Sequence, residues 1–298
     1  MKIISGKQAT ARRILLYGIH GVGKSTWAAS APNPIFINME DGLADIECDK
    51  TEPVETFSQA IQYAFWLYNE PHDYRTVVVD TIDWLEKCIF REISQKAGTE
   101  TVQDIDFGKG APRAIPRWEQ LLESLDRCRK YRGMNVILLG HSKLELVKNP
   151  EGSEYHRYAP DLWTNARGEG TGAMIQEWCD EVLFAQFKTY TTEEGKGIAK
   201  KVKAVGGKER AIRCCESATA MAKNRIGLPE ELPMEWEAYA KYVRASYATR
   251  GQKKPKPQPE IPPPDRVDIS GMVVDGSSKV PAAKSAEVQE MEEAFSTP

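Results

Sequence analysis

Long apolar runs are missing from this chain of 298 residues, and so is any excess of positive charge. No stretch approaches the roughly 20 apolar residues that a membrane-spanning helix needs. The opening residues, MKIISGKQATARR, hold no apolar signal core. These absences predict a cytoplasmic protein without a membrane partner. The formal net charge of −3 provides no global field for nucleic acid, so any such contact must come from a local groove or loop. The six cysteines (Cys48, Cys88, Cys128, Cys179, Cys214 and Cys215) show no C-x-x-C spacing and no histidine at metal-ligand spacing. That spacing offers no zinc motif, and reduced, mostly buried thiols are expected.

Regular structure runs out near Arg250, where GQKKPKPQPEIPPP begins. Prolines at that density favour an extended linker, and the small and polar residues after it read as a disordered tail. The expected organisation is a folded domain over 1–250 and a Pro-rich linker with an acidic tail over 251–298. Within the domain, Arg13 to Tyr17, Pro34 to Asn38, Arg75 to Asp80, Asn135 to Leu139 and Glu181 to Phe187 read as short buried strands. Helical patterns separate them: Lys24 to Ala29, a helix from Thr56 with Gln59 closing a capping box, Asp83 to Lys96, and one through Trp118 that ends at Gly133. Short apolar strands alternating with amphipathic helices predict an α/β fold, a parallel sheet covered on both faces.

The densest chemistry lies between the first strand and first helix. Gly18, His20, Gly21, Val22, Gly23, Lys24 and Ser25 fit G-x-x-x-x-G-K-[ST], and Thr26 follows. Glycines let the backbone wrap around phosphates, and successive N–H groups with the helix start point at the anion. Lys24 is expected to reach the β- and γ-phosphates, Ser25 to ligate Mg²⁺, and Thr26 to meet the α-phosphate. The octapeptide arises by chance in about one chain per hundred of this length. ATP with Mg²⁺ is therefore the expected ligand of a P-loop NTPase.

Asp80 closes the apolar run TVVVD, which sets its carboxylate at the edge of the sheet where ligands bind. It is the expected Walker B aspartate, with helix capping as the rival role. One group is then absent: in many P-loop ATPases a glutamate follows that aspartate, and here Thr81 does. The end of the second strand, FINMEDG, brings Glu40 and Asp41 to the same edge. Glu40 is the expected base, Asp41 the reserve, and two solvated acids the rival reading.

With these residues in place, the chain from about Arg12 to Leu232 resembles the RecA-type ATPases, especially the short RecA-like recombinases of bacteriophages. The P-loop, the strand ending at Glu40 and the strand ending at Asp80 carry the resemblance. It implies a RecA-like fold, an ATPase stimulated by DNA, ATP shared between copies of a homo-oligomer, and the host cytoplasm if the gene is a phage's. It also implies that His141, after VILLG, reads the γ-phosphate; RecA carries glutamine there, and His141 equally suits a local backbone role. In AKNRIGLP, Lys223 and Arg225 resemble cations that reach the neighbouring subunit's ATP. A solvated basic turn is the alternative.

Residues 148–167 read as a long loop in which Tyr155, Tyr158 and Trp163 are set to stack on bases and Lys148, Arg157 and Arg167 to neutralise phosphates. Ordinary packing of the aromatics is the competing reading. Lys109 and Arg113 in DFGKGAPR suit backbone contact, and Lys188 to Lys208 reads as a lysine-rich hairpin. The acidic EVQEMEEAF near the C-terminus is set to dock on a partner such as a single-strand-binding protein, or to stay solvated. The expected function is single-strand DNA binding with annealing or strand exchange. The rivals are an ATP-dependent assembly module with negligible turnover, and a P-loop kinase or remodelling ATPase, for which Arg113 with Arg117 is thin support.

Overall fold

A computed structural model describes residues 6–149, 152–194 and 201–248. The expected linker and acidic tail over 251–298 lie outside the described residues, as do residues 195–200 of the expected hairpin. Among the described residues nine strands form one sheet. The parallel core consists of β1 (Arg13–Gly18), β2 (Pro34–Asn38), β3 (Asp49–Lys50), β4 (Thr76–Asp80), β5 (Asn135–Val147) and β7 (Glu181–Glu194). β6 (Tyr155–Pro160), β8 (Lys201–Arg213) and β9 (Glu231–Pro233) add antiparallel pairings. The order is β3-β2-β4-β5-β1-β7-β8-β9, with β6 paired only to β5. Thus β5 separates the P-loop strand β1 from the Asp80 strand β4. This is the α/β fold that the sequence predicts, a mainly parallel sheet with helices on both faces.

Strand alternation divides the core in two. Leu15, Tyr17, Ile37, Val77, Val79, Val136 and Leu138 face one layer, and Ile14, Leu16, Phe36, Val78, Ile137 and Leu139 face the other. Both sets are buried, so these strands read as unbroken apolar runs. The first layer packs on α2 (Phe57–Asn69), α3 (Ile82–Ala97), α4 (Ile115–Arg132) and α5 (Thr171–Trp178). The second packs on α1 (Lys24–Ala29) and α6 (Trp236–Ala248) through Trp27 and Tyr239. The Thr56–Gln59 capping box starts α2, and Gly133 ends α4 in the left-handed region. Glu181 anchors α6 to the sheet: Tyr239 Oη donates to it at 3.0 Å and Arg12 Nε at 3.2 Å.

Two segments depart from the sequence expectation. β5 does not stop at Leu139 but runs to Val147, and it changes partner at Ser142 to pair with β6. The expected loop over 148–167 is therefore in part a β-ribbon. The alternation of Leu144 and Leu146 with charged neighbours supports a strand, and both leucines are exposed. The expected lysine-rich hairpin is the β7–β8 pair, which extends the fifth strand from Phe187 to Glu194.

Glu86 ties α3 to the segment that leads into α5. Its carboxylate accepts from Trp163 N at 2.7 Å and from the Thr171 hydroxyl. Burial pushes it up to about 7, against these hydrogen bonds. The folded state then holds a proton that the unfolded chain releases near its ordinary value of about 4.3. Stability from this group is full below that value and is lost as pH rises to about 7. Glu86→Gln removes the titration. The unfolding free energy of the wild-type protein should fall relative to that variant by roughly 2 kcal/mol between about pH 5 and about pH 8. Urea melts at the two pH values measure it; parallel profiles would refute the assignment.

Candidate nucleotide site

The site lies at the carboxyl edge of the parallel strands, where β1, β2 and β4 end and β5 leaves the sheet. In the register, Gly18 stands beside His141, and Asp80 lies between Asn38 and Leu139. Close packing explains the first glycine of the motif, since a Cβ on Gly18 would run into the Ala185 carbonyl. Gly23 caps α1 at φ 97°, a left-handed conformation that side chains resist. Val22 is wholly buried, so it offers the site only its backbone.

Lys24 is buried, and its Nζ donates to the carbonyls of Gly18 at 3.3 Å and Ile19 at 3.1 Å. Burial pulls its pKa below the ordinary value, while the carboxylates of Asp80, Asp83 and Glu40 pull the other way. Ser25 Oγ donates to Asp80 Oδ2 at 2.6 Å. Burial pushes the Asp80 carboxyl up, and the Ser25 hydrogen bond opposes it. One hydroxyl and one carboxylate thus form a pair of hard oxygen donors beneath the cradle. Among the described residues no three His, Cys, Asp or Glu side chains converge for a metal.

Behind this pair lies a chain of polar contacts. The N–H groups of Met39 and Glu40 donate to the Asp80 carbonyl at 2.8 and 3.1 Å, which fixes the turn out of β2. Glu40 Oε2 accepts from Thr81 Oγ1 at 3.2 Å and lies 4.0 Å from His141 Nε2. Asp41 is exposed. His141 is doubly held by Asp83: its backbone N–H reaches Oδ1 at 3.0 Å, and Nδ1 reaches Oδ2 at 2.9 Å. Burial raises the Asp83 carboxyl, but the His141 hydrogen bonds outweigh it and hold the group below its ordinary value. The ionised carboxylate accepts, so Nδ1 carries the proton and Nε2 is turned to Glu40. His20 of the P-loop stacks on the His141 ring, with centroids 3.8 Å apart and planes at 21°. The cradle and the middle of β5 are thereby in direct contact.

A family model described as an AAA domain matches residues 10–226, from the start of β1 past Arg225. The chain belongs to that family. No curated protein matches the chain significantly. Among solved structures it is similar to one titled the crystal structure of the RadB recombinase. That similarity has a TM-score of 0.42 and 12% identity, covering 77% of this chain and 90% of that one. Among the described residues no helix is long and apolar enough to cross a membrane.

The remaining expected residues of this AAA-family chain are dispersed. Lys223 bridges to Val182 and Arg225 reaches Asp180, both near the start of β7, whereas Gly18 of the cradle stands beside Ala185 of the same strand. Lys223 Nζ donates to the carbonyls of Gln176, Glu177 and Cys179 at 2.9, 3.2 and 2.8 Å and so closes the end of α5. Its expected role as a free cation gives way to that of a helix cap. Arg225 approaches Asp180 at 3.4 Å with about half its side chain exposed. The aromatic loop also reads differently. Tyr158 stacks on Phe184 at 4.9 Å, and Trp163 packs on the core. Both rings are occupied by the fold. Tyr155 lies on β6 opposite Val147, and Arg157 pairs with Glu216 at 2.7 Å and Glu145 at 3.6 Å. Lys109, Lys148 and Arg167 are exposed, while Arg113 is exposed and paired with Asp106 at 2.9 Å. Asp83 and Arg210 near the cradle were missed, and no local motif singles them out; Thr81 was noted only as the place where a glutamate is absent.

Proposed function

We propose that this chain binds ATP with Mg²⁺ in the Gly18–Thr26 cradle, hydrolyses it, and couples turnover to single-stranded DNA in annealing or strand exchange. The observation that supports the ATPase part best is the 2.6 Å hydrogen bond from Ser25 to Asp80, with Glu40 and His141 in sequence behind it. A hydroxyl and a carboxylate fit Mg²⁺, which takes few protein oxygens and leaves the rest of its shell to phosphates and water. When bound, the ion neutralises charge on the β- and γ-phosphates. Lys24 adds a cation to the same oxygens. Glu40 accepts the proton of the attacking water, and Thr81 holds its carboxylate in place. His141, oriented by Asp83, reports the occupancy of the γ-phosphate position to β5 and the β5–β6 ribbon.

The DNA part draws on the RecA resemblance and on the exposed cations Lys109, Lys148 and Arg167. With Tyr158 and Trp163 packed inward, neutralised phosphates replace stacked bases as the main source of affinity. In an oligomer with shared ATP, Arg225 rather than Lys223 is the expected cation for a neighbour, because about half its side chain is exposed. The test is ATP hydrolysis with and without single-stranded DNA, together with gel shifts in ATP. For about three phosphates neutralised, affinity should fall roughly 20-fold from about 50 to about 200 mM salt. No stimulation and no shift in ATP would remove the DNA part and leave the ATPase.

A further inference from the structure

A cleft of about 390 Å³ lies against the P-loop, where Gly23 and Thr26 face Arg210 of β8, Met234 just after β9 and Trp236 at the start of α6. Its size suits a small-molecule site. Its position follows from the direction a nucleotide takes through the cradle. Lys24 and Ser25 serve the β- and γ-phosphates and the metal. Thr26, one residue further on, lies at the α-phosphate end. Ribose and base leave the cradle past Thr26, and the cleft opens there.

The lining suits a flat aromatic guest. Trp236 packs edge-on against Trp27, with centroids 4.9 Å apart, and against Tyr239 at 5.4 Å. Its ring is therefore fixed before any ligand arrives, which limits the entropy lost on binding. The Met234 thioether is a polarisable neighbour for an aromatic face. Arg210 overhangs the start of α1 so closely that a Cβ on Gly23 would lie 2.7 Å from its Nη1. A planar guanidinium stacks on ring faces as well as pairing with phosphate. Glu235 at the rim offers a carboxylate acceptor that suits ribose hydroxyls, while Glu237 beside it is paired with Arg244.

We propose that this cleft seats the ribose and purine base of the nucleotide, with Trp236 as the stacking platform and Arg210 as the cation above it. The inference rests on the P-loop reading. It adds that the seat is closed by α6, which lies beyond the segment matched by the family model.

The test titrates the full-length protein calorimetrically with Mg-ATP and separately with Mg-tripolyphosphate, which has the phosphates but no base. Trp236→Ala should weaken ATP by roughly 5- to 150-fold, the range for losing one stacked base, and leave tripolyphosphate within about twofold. Because Trp236 also packs on the core, Ser30→Tyr is the second variant: Ser30 is exposed at the cleft, and a tyrosine there fills the space from outside. It should weaken ATP and spare tripolyphosphate in the same way. ATP affinity unchanged in Ser30→Tyr, or ATP and tripolyphosphate falling together, overturns the proposal. Equal wild-type affinity for the two probes overturns the base seat alone. Wild-type protein that binds neither overturns the P-loop reading and the seat with it.

Discussion

Lys24→Ala should weaken Mg-ATP binding by roughly 30- to several-thousand-fold, the cost of truncating one partner of a buried, hydrogen-bonded charge pair. Lys24 is buried within reach of three acidic groups, Asp80, Asp83 and Glu40. A triphosphate brings more negative charge to this spot, and the Lys24 ammonium offsets it from within the cradle. Without that ammonium the phosphates meet Asp80 and Glu40 uncompensated. The same burial makes a second expectation that separates lost binding from lost folding. Because burial pulls the Lys24 pKa down, the charge costs the empty protein stability rather than adding to it. The thermal midpoint of Lys24→Ala without nucleotide should therefore match or exceed that of the wild type. Calorimetric titration and a melt of each protein measure both. A dissociation constant within about threefold of wild type would refute the role, since that is well below the cost of losing a charged partner.

The sheet was legible because its strands are short apolar runs bounded by turn residues. RILLYG, PIFIN and TVVVD leave little choice but buried parallel strands, and Thr56, Gln59 and Gly133 mark helix ends by their own hydrogen bonding and backbone needs. The glycine-rich turn between β1 and α1 was legible for the same kind of reason, because its motif has a fixed local spacing. The common edge of Asp80 and Glu40 followed, because strand ends define an edge and carboxylates on that edge can be counted.

What stayed hidden depends on contacts between distant residues. Asp83 is 58 positions from His141, and only the packing of α3 beside β5 unites them. Arg210 and Trp236 reach the P-loop from β8 and α6, segments without a motif. The aromatic segment shows a different limit. Composition cannot tell a tyrosine stacked on a base from one stacked on Phe184, because both need the same flat face. Lys223 shows it for charge: a lysine in a turn reads as a free cation until three carbonyls at the end of α5 are seen to converge on it.

Glu40→Gln should reduce kcat for ATP hydrolysis by roughly 10²- to 10⁴-fold, the usual contribution of a general base, while ATP binding changes little. The argument starts from the residue after Asp80. Thr81 cannot accept a proton from water at neutral pH, but its hydroxyl donates to Glu40 Oε2 at 3.2 Å. The position that holds the base in many P-loop ATPases here supports a base supplied by the neighbouring strand. Glutamine keeps the size and one acceptor oxygen for Thr81 while losing the charge and the basicity. The turn is held by the backbone N–H groups of residues 39 and 40, so the cradle and that turn should persist. Asp41 is exposed and among the described residues has no such support, so Asp41→Asn should leave kcat within about threefold of wild type, far from the loss of a base. The two variants together decide between the carboxylates. Single-turnover hydrolysis and ATP titration on each protein separate the chemical step from binding. A Glu40→Gln enzyme with near-normal turnover, or an Asp41→Asn enzyme without it, would transfer the role away from Glu40.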